Sequence, residues 1–578
     1  MDEASQADGD PQPTNDEPGA PVPARTWNDA FFKEAYEKVP EIGAGGRWYD
    51  PPYKVLDRLF KFALKIHAPG PVRRFLIDRM HWLNRRNDLE RQRVWASDDP
   101  MQNLHVPPQQ HVSMPSAWVV EFFLPSTAEL LRRSMERGGW DSGRLRYRPD
   151  DSNESILTKT RTSAGWHWWR VGTAIAPDSK YLDPDALRTP LPEDFERIEV
   201  IAYQIGSGLT ALIAHIALTD DAARALDHEW HADHEPRIVR QGKLDQVQDR
   251  KWRAFHEVQS VRALINEHAR GWMRRNFEGA LAALNEPQPI LNLVLFCGEE
   301  EGGASSRRDA KRAVGILEDP YRLVSEHLSG LVLEQVDFAL CRPLGESALW
   351  TLWGDETTVA SGLGDMSRYG GKSSRAISRV VDDAAADFFL PICLSALLKL
   401  QRQQVSFTRD LARSQHGKFK RSDVERLRAG FLTASLDTVT LSRDVTHWAQ
   451  NRQPFRSDIE FWWRESEWFA EQGKRQGLHA LEPRSLDATL REDMRKQAKE
   501  LVEVDRDQRD ILGTVASLGA SIDSFRTQRY AIAIALLSLL VALASVAASV
   551  AGADATVAVL KSLWDEIERG ANALGGDS

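Results

Sequence analysis

Short apolar runs in the middle of the chain predict β-strands that alternate with amphipathic helices. The segment "AWVVEFFLP" is aromatic and β-branched, and "STAELLRRSMERGGW" follows it as a helix that begins at Ser126 or Thr127 and ends at paired glycines. The segment "RIEVIAYQIGSGLTALIAHIAL" contains two apolar runs around a Gly-Ser-Gly turn, and a helix begins after it at Thr219 or Asp220. Further strands are predicted in "ILNLVLFC", "SGLVLEQVDFALC" and "ALWTLWG".

Longer helical patterns lie on both sides of this region. Before it, "YKVLDRLFKFALKI" and "RRFLIDRMHWLNRRNDLERQRVW" are separated by a Gly/Pro break. After it, from Asp382 to Gln476, the chain predicts long amphipathic helices with Leu, Phe and Trp on their inner faces, one of them in "FRSDIEFWWRESEWFAEQ". Strands interleaved with helices indicate an α+β, or mixed α/β, body.

An uncharged stretch near the C-terminus predicts a membrane span. Between Arg529 and Asp554 the chain has 24 residues without a charge, and a helix of that length covers about 36 Å, more than the about 30 Å of a hydrocarbon core. The alternative is a buried helix in a large globular domain. A face of small residues that includes Ala533 would pack helices together or line a narrow pore. The positions assigned to the span are Tyr530, Leu536, Ser538, Ala542, Ser545 and Ser549.

The helix that leads into this span carries a narrow apolar seam, which predicts a coiled-coil stalk. The alternative is an antiparallel hairpin packed on its own chain. A coiled coil implies partners, most simply other copies of the chain, so we expect a homo-oligomer. The seam positions are Leu501, Val504, Ile511, Val515, Leu518, Ile522 and Phe525.

These patterns give the fold class: a mixed α/β cytoplasmic body, a long helical stalk and a C-terminal transmembrane helix. The predicted segments are a disordered acidic, Pro-rich tail (1–25), an N-terminal helical segment (26–110), an α/β domain (111–380), a helical bundle (381–485), a stalk helix (486–528), the span (529–553) and an amphipathic tail (554–578).

Composition limits the expected partners and the expected cellular compartment. The net charge of −10 argues against a nucleic-acid partner, which requires a clustered basic surface. The acidic, Pro-rich N-terminus does not resemble a secretory signal, so the body is expected in the cytoplasm. Three widely spaced cysteines, Cys297, Cys341 and Cys393, fit a reducing compartment and are predicted to be small core residues.

The densest polar cluster is "DHEWHADHE", in which His228, His231 and His234 recur every three residues among acids. Two of these imidazoles on one helix face, with a carboxylate, would bind zinc. Three residues advance a helix by only 300°, so His234 lies about 120° from His228, and the H-E-x-x-H spacing is absent. The alternative is a solvated helix rich in His and acids.

Three other stretches suggest weaker sites. The loop "GEEEGG" offers three glutamates to a cation, or is simply solvated. The stretch "GLGDMSRYGGKSS" fails the spacing of a phosphate loop. The stretch "GWHWWR" is an aromatic ligand wall or a half-buried strand at an interface. No catalytic motif is present, so the sequence predicts neither an enzyme nor a cofactor.

The order of parts resembles the CorA-type divalent cation transporters and their relatives. Within it, "LPICLSALLKLQRQQVSFTRDL" and "FLTASLDTVTLSRDVTHWAQNRQPFRSDIEFWW" are similar to the stalk-side helices of such proteins. The resemblance implies a homopentamer with a cytoplasmic body and two membrane helices per chain. The family's Gly-Met-Asn loop is absent, since Val550–Thr556 reads "VAGADAT", and the second span is missing or degenerate. The resemblance therefore implies architecture and not magnesium selectivity.

Two functional hypotheses follow. In the first, a cytoplasmic sensor domain that binds an unknown small ligand is coupled by the stalk to an oligomeric membrane region that conducts ions or perturbs the bilayer. In the second, the chain is a membrane-tethered scaffold or receptor without transport activity. A third possibility is a hydrolase that uses the His cluster. The expected partners are a lipid bilayer, further copies of the chain and the small ligand, with no nucleic acid.

Overall fold

The structure is a computed structural model that describes most of the chain in segments. These are residues 36–96, 110–140, 152–162, 167–181, 183–241, 244–298, 330–333, 338–342, 348–362, 373–414, 421–450, 461–464 and 482–551, with positions 474, 477, 561, 562 and 565. The chain divides into two compact units, one formed by Met1–Leu397 with Arg443–Lys496 and the other by Leu398–Ser442 with Gln497–Ser578.

The helices and strands alternate along the first two-thirds of the chain. The strands are β1 (His111–Phe123), β2 (His167–Ile175), β3 (Leu187–Arg188), β4 (Phe195–Ile205), β5 (Leu209–Leu218), β6 (Arg237–Gln241), β7 (Leu244–Gln248), β8 (Ile290–Cys297), β9 (Gly330–Leu333), β10 (Phe338–Cys341), β11 (Leu349–Asp355), β12 (Trp462–Arg464) and β13 (Arg484–Ser485). The α-helices are α1 (Asp50–Lys65), α2 (Gly70–Ala96), α3 (Ala128–Arg137), α4 (Asn153–Thr162), α5 (Asp220–His231), α6 (Arg250–Asn276), α7 (Ala280–Ala283), α8 (Glu356–Gly362), α9 (Ser373–Ser414), α10 (Arg421–Gln450) and α11 (Leu486–Ala551).

The first unit is built on one large sheet. Its eleven described strands lie in the order β13-β12-β9-β10-β11-β8-β1-β5-β4-β2-β3, and β6 pairs with β7 in a separate hairpin. The central neighbours β8, β1, β5, β4 and β2 are antiparallel, whereas β11 is parallel to β8 and β3 is parallel to β2. Helices and strands share this unit, so the predicted mixed α/β body is confirmed.

The strongest sequence patterns form the centre of this sheet. The apolar runs predicted as strands form β1, β4, β5 and β8, and the Gly-Ser-Gly turn joins β4 to β5. Helix α5 begins as predicted, because the Thr219 hydroxyl accepts a hydrogen bond from the Ala222 N–H at 3.3 Å and so caps the helix. The helix predicted through "FRSDIEFWWRESEWFAEQ" is wrong at Trp462–Arg464, where the chain pairs as β12 between β9 and β13.

Strand β1 is buried on both faces, which places helices on each side of the sheet. Its residues Ala117 and Val119 join the core that contains Val258 and Ile265 of α6. Its residue Trp118 points to the opposite face, where its indole N–H donates to Asp382 of α9. Near-continuous apolar strands are typical of a sheet covered on both faces.

The second unit is made of helical segments from α9, α10 and α11. Gln401 of α9 donates to Thr438 of α10 at 3.1 Å, and Arg402 of α9 pairs with Glu500 of α11 at 2.7 Å. The seam residue Leu501 is fully buried. At this point the helix predicted as a coiled-coil stalk packs on its own chain, which is the arrangement that the hairpin alternative describes.

The predicted C-terminal transmembrane helix over 529–553 is wrong, and so is the single-pass membrane location. In the part of the chain that the structure describes, no helix has the length and apolar character needed to cross a bilayer.

Candidate functional site

A cavity of about 360 Å³ lies in the first unit where strands β1, β4 and β5 meet helices α5 and α9. Its lining is mainly polar and includes Ser116 from β1, His215 from β5 and Ser378 from α9. Polar side chains are unusual in strands as apolar as these. These polar groups make the cavity the candidate functional site of the first unit.

Strand register brings three large side chains into one row beside the cavity. Trp118 of β1 is directly opposite His215 of β5, which in turn is opposite Glu199 of β4. Directly paired residues point to the same face of a sheet, so the three side chains are neighbours. The indole of Trp118 stacks on the imidazole of His215, with ring centroids 4.9 Å apart and planes at 9°.

Helix α9 supplies the other half of the site. Ser378 and Asp382 are four residues apart, so they lie on one face of the helix, one turn from each other. The Ser378 Oγ lies 3.0 Å from Nε2 of His215, and Oδ2 of Asp382 lies 3.4 Å from Nδ1 of the same ring. One imidazole thus has a hydroxyl at one nitrogen and a carboxylate at the other.

A second serine shares the same imidazole nitrogen. The Ser116 Oγ lies 3.2 Å from Nε2 of His215 and 2.5 Å from the Ser378 Oγ. Both serines are at least nine-tenths buried but line the cavity. The site therefore contains two hydroxyls and one base in contact.

The carboxylate of Asp382 is held in its ionised form. Burial by itself raises the pKa of this group, but the neighbouring His215, the hydrogen bond from Trp118 at 2.9 Å and the charge of Arg379 lower it, and the net shift of the pKa is downward. An ionised Asp382 beside Nδ1 favours the tautomer of His215 that carries its proton on Nδ1. Nε2 is then free to accept a proton from a serine.

Glu199, His215 and Asp382 also have the composition of a metal site, since one donor atom from each lies within 4.8 Å of the others. Their negative charge is, however, already neutralised. Arg379 lies 2.5 Å from Glu199 and 3.6 Å from Asp382, and Arg170 lies 3.0 Å from Glu199. A cation would have to displace these guanidinium groups, so the cluster is better suited to proton transfer than to metal binding.

The charged residues of the cavity lining are three arginines and two acids, Arg197, Arg375, Arg379, Glu196 and Asp220. Arg375 is paired with Glu196 at 2.9 Å. Arg197 instead donates to the neutral phenol oxygen of Tyr181 at 2.7 Å, and no ion pair among the described residues involves it. The cavity therefore has a positive charge that a ligand can neutralise.

The three histidines proposed from the sequence are not brought together. His228 is exposed on α5. His234 is buried, with Nε2 3.1 Å from the Glu229 carbonyl oxygen. His231 lies instead beside Asp227 and a residue from another element, His111 at the start of β1.

The remaining candidate residues have separate positions. Trp169 is buried in the core with its indole N–H on Asn153, whereas Trp168 is half exposed, so the two do not form one ligand wall. On α11, Tyr530 and Leu536 are exposed, and Ser538, Ala542 and Ser545 are exposed as well. The glutamates of "GEEEGG", most of the "GLGDMSRYGGKSS" stretch, Trp166 and the side chain of Ser549 lie outside the described residues.

Sequence reasoning missed the residues of the cavity. Two features of the sequence could have indicated this site. His215 lies within the apolar run of β5, and Asp382 comes just before "AAADFF", so each is a polar residue at a position that the apolar pattern predicts to be buried. No family model matches the chain, and no curated protein matches it in sequence. The resemblance to CorA-type transporters therefore stays a prediction.

Proposed function

We propose that the first unit is a ligand-binding body whose cavity takes a small anionic molecule. The observation that supports this most directly is Arg197, a cation at the cavity whose hydrogen-bond partner is a neutral phenol. A planar guanidinium pairs well with carboxylate or phosphate oxygens. The hydroxyls of Ser116 and Ser378 add neutral donors to the same space.

The size of the cavity supports a ligand of small-molecule dimensions. A volume of about 360 Å³ lies at the low end of the range of about 300–1,000 Å³ that is typical of ligand pockets. Binding would connect β1, β4 and β5 to α9, because all four elements line the cavity. This agrees with the sensor half of the first sequence hypothesis.

The binding test uses inorganic phosphate as the probe and calorimetry as the measurement. Replacing Arg197 by Gln removes the available charge and keeps most of the side-chain volume, so we expect phosphate affinity to fall about tenfold or more. Arg137→Gln is the matched control, since Arg137 is exposed on α3 outside the cavity lining. Equal affinities for the native chain and the Arg197 variant would refute the proposal.

A second candidate function, hydrolysis of an ester of such an anion, is favoured by the chain of contacts from Ser378 through His215 to Asp382. The Ser378 Oγ would attack the carbonyl carbon while His215 Nε2 takes its proton. His215 would then return that proton to the leaving alcohol, and water would release the acid in a second, equivalent cycle. Asp382 would orient the ring throughout.

The hydrolysis test is separate from the binding test. A p-nitrophenyl ester that carries a carboxylate should be cleaved by the native chain, and Ser378→Ala should abolish the reaction. Phosphate affinity should fall less in Ser378→Ala than in Arg197→Gln, because the variant loses one neutral donor and keeps the guanidinium. Ser116→Ala distinguishes the two hydroxyls, because it removes the neighbour and keeps the proposed nucleophile. Cleavage that survives Ser378→Ala would exclude this mechanism.

A further inference from the structure

We propose that His111, Asp227 and His231 form a binding site for a zinc ion, separate from the cavity and independent of the function proposed for it. His111 begins β1, and Asp227 and His231 lie one turn apart on α5. One donor atom from each residue lies within 4.8 Å of the other two. Two imidazoles and one carboxylate, with a fourth position left for water, are a common zinc ligand set.

The distances between the donor atoms fit the size of a tetrahedral zinc site. Zinc binds nitrogen and oxygen at about 2.0–2.1 Å, so neighbouring ligands of a tetrahedron lie about 3.3 Å apart. The Nδ1 atom of His111 lies 3.0 Å from Oδ2 of Asp227, and Nε2 of His231 lies 3.3 Å from Oδ1 of the same carboxylate. Only small side-chain movements are needed to admit the ion.

The imidazole of His231 is the second observation that points to a ligand. Its Nε2 atom is buried and has no hydrogen-bond partner among the described residues, although it lies beside Asp227. A buried polar atom without a hydrogen bond is costly, and a metal ion would satisfy it. The open nitrogen points toward the carboxylate that would share the ion.

Asp227 is fixed in place before any ion binds. The Val112 N–H donates to its Oδ1 at 2.7 Å, which ties the carboxylate to the backbone of β1. A contact of this kind orients a metal ligand and commonly affects affinity by about 10- to 100-fold. Oδ2 remains for the ion, next to His111.

The surroundings favour a cation. The carboxylate of Glu356 lies close to the site, because it accepts a hydrogen bond from the Cys297 thiol at 2.6 Å. Cys297 is the β8 residue directly opposite His111. By contrast, the carboxylates beside His215 are already neutralised by arginines.

The test uses the tag-free full-length chain, stripped of metal with a chelator and titrated with Zn²⁺ alone in a calorimeter at neutral pH. We expect one zinc per chain, and a loss of affinity of at least about tenfold in both His111→Ala and His231→Ala. His228→Ala is the matched control, because His228 is exposed on the same helix and outside the cluster. Its affinity should equal that of the native chain.

A spectroscopic readout guards against variants that fold poorly. Co²⁺ in a tetrahedral site with nitrogen and oxygen ligands absorbs visible light, and these bands should appear in the native chain and in His228→Ala but not in His231→Ala. Circular dichroism of the same samples checks folding. Absence of zinc binding, or an equal loss in His228→Ala and His231→Ala, would overturn the proposal. Neither result bears on anion binding in the cavity.

Discussion

The Ser378 hydroxyl lies 3.0 Å from Nε2 of His215, although the two residues are 163 positions apart in the chain. Strand β5 supplies the imidazole and helix α9 supplies the hydroxyl, and Asp382 follows on the same helix face one turn later. The contact exists only because α9 packs across the face of the sheet that carries Trp118. Substitutions on β1 or on α9 should therefore both change the stability of this cluster.

Replacing Asp382 by Asn should destabilise the fold in a pH-dependent manner. Breaking a buried ion pair costs about 3–5 kcal/mol of unfolding free energy. The pKa of Asp382 is lowered in the folded state, so its charge contributes stability that is present above the unfolded-state pKa of about 3.9 and is lost as the pH falls through the lower folded pKa. Urea unfolding should show a constant difference from pH 7 to about 5 that shrinks below about pH 4.

The control for this pH series is Asp57→Asn. Among the described residues Asp57 pairs with Lys61, at 2.6 Å on the helix surface, so its loss should cost less than about 1 kcal/mol at any pH. A difference between native chain and Asp382→Asn that stays constant down to pH 3 would contradict the ionised assignment of Asp382.

Trp118→Phe isolates the indole N–H from the aromatic ring. Phenylalanine can still stack on His215, but Oδ1 of Asp382 loses its buried donor. We expect a loss of about 1–3 kcal/mol in the free energy of unfolding. Trp48→Phe, at a residue that is 63% exposed, should change it by less than about 0.5 kcal/mol. Equal effects at both positions would show that the hydrogen bond to Asp382 contributes nothing.

The Cys297 thiol should react slowly with iodoacetamide. Its pKa is raised by burial, by the hydrogen bond to Glu356 at 2.6 Å and by that carboxylate's charge, so little reactive thiolate is present near pH 8. Glu356→Gln removes the charge and should speed the labelling of Cys297. Peptide mass mapping measures the labelled fraction at each cysteine over time. Cys393, fully buried in α9, is the internal control and should remain slow in both chains. If Cys297 is labelled no faster in Glu356→Gln than in the native chain, burial alone accounts for its slow reaction.

The predicted homo-oligomer can be tested through α11. Its side chains Leu536, Leu537 and Leu543 are all more than half exposed. Leu536 and Leu543 are seven residues apart and lie on one face of the helix, and Leu537 lies about 100° away from Leu536. Exposed apolar surface of this kind marks an interaction site, and several copies of the chain would cover it. Light scattering on the full-length protein should give a multiple of the chain mass.

A double substitution, Leu536→Lys with Leu543→Lys, should reduce that mass to the monomer value. The matched control is Leu264→Lys, at a leucine that is 59% exposed on α6 of the first unit. A monomeric native chain would be evidence against the oligomer and would favour the hairpin alternative for the seam around Leu501.

The sequence by itself determined the local elements and their core faces. The apolar runs of β1, β4, β5 and β8 and the cap at Thr219 were predictable because strand alternation, apolar content and capping depend on residues close together in the chain. Local pattern failed at Trp462–Arg464, where pairing with β9 made a strand of a segment with helical spacing. It also failed at 529–553, where apolar composition alone suggested a membrane span.

Tertiary structure alone decided the candidate sites. The sequence grouped His228, His231 and His234 because they are neighbours on one helix, whereas the structure joins His231 and Asp227 to His111, more than a hundred residues away. His215, Ser378 and Asp382 likewise meet through strand register and the packing of α9. Contacts between distant segments depend on which elements pack together, and a single sequence carries no local signal for that choice.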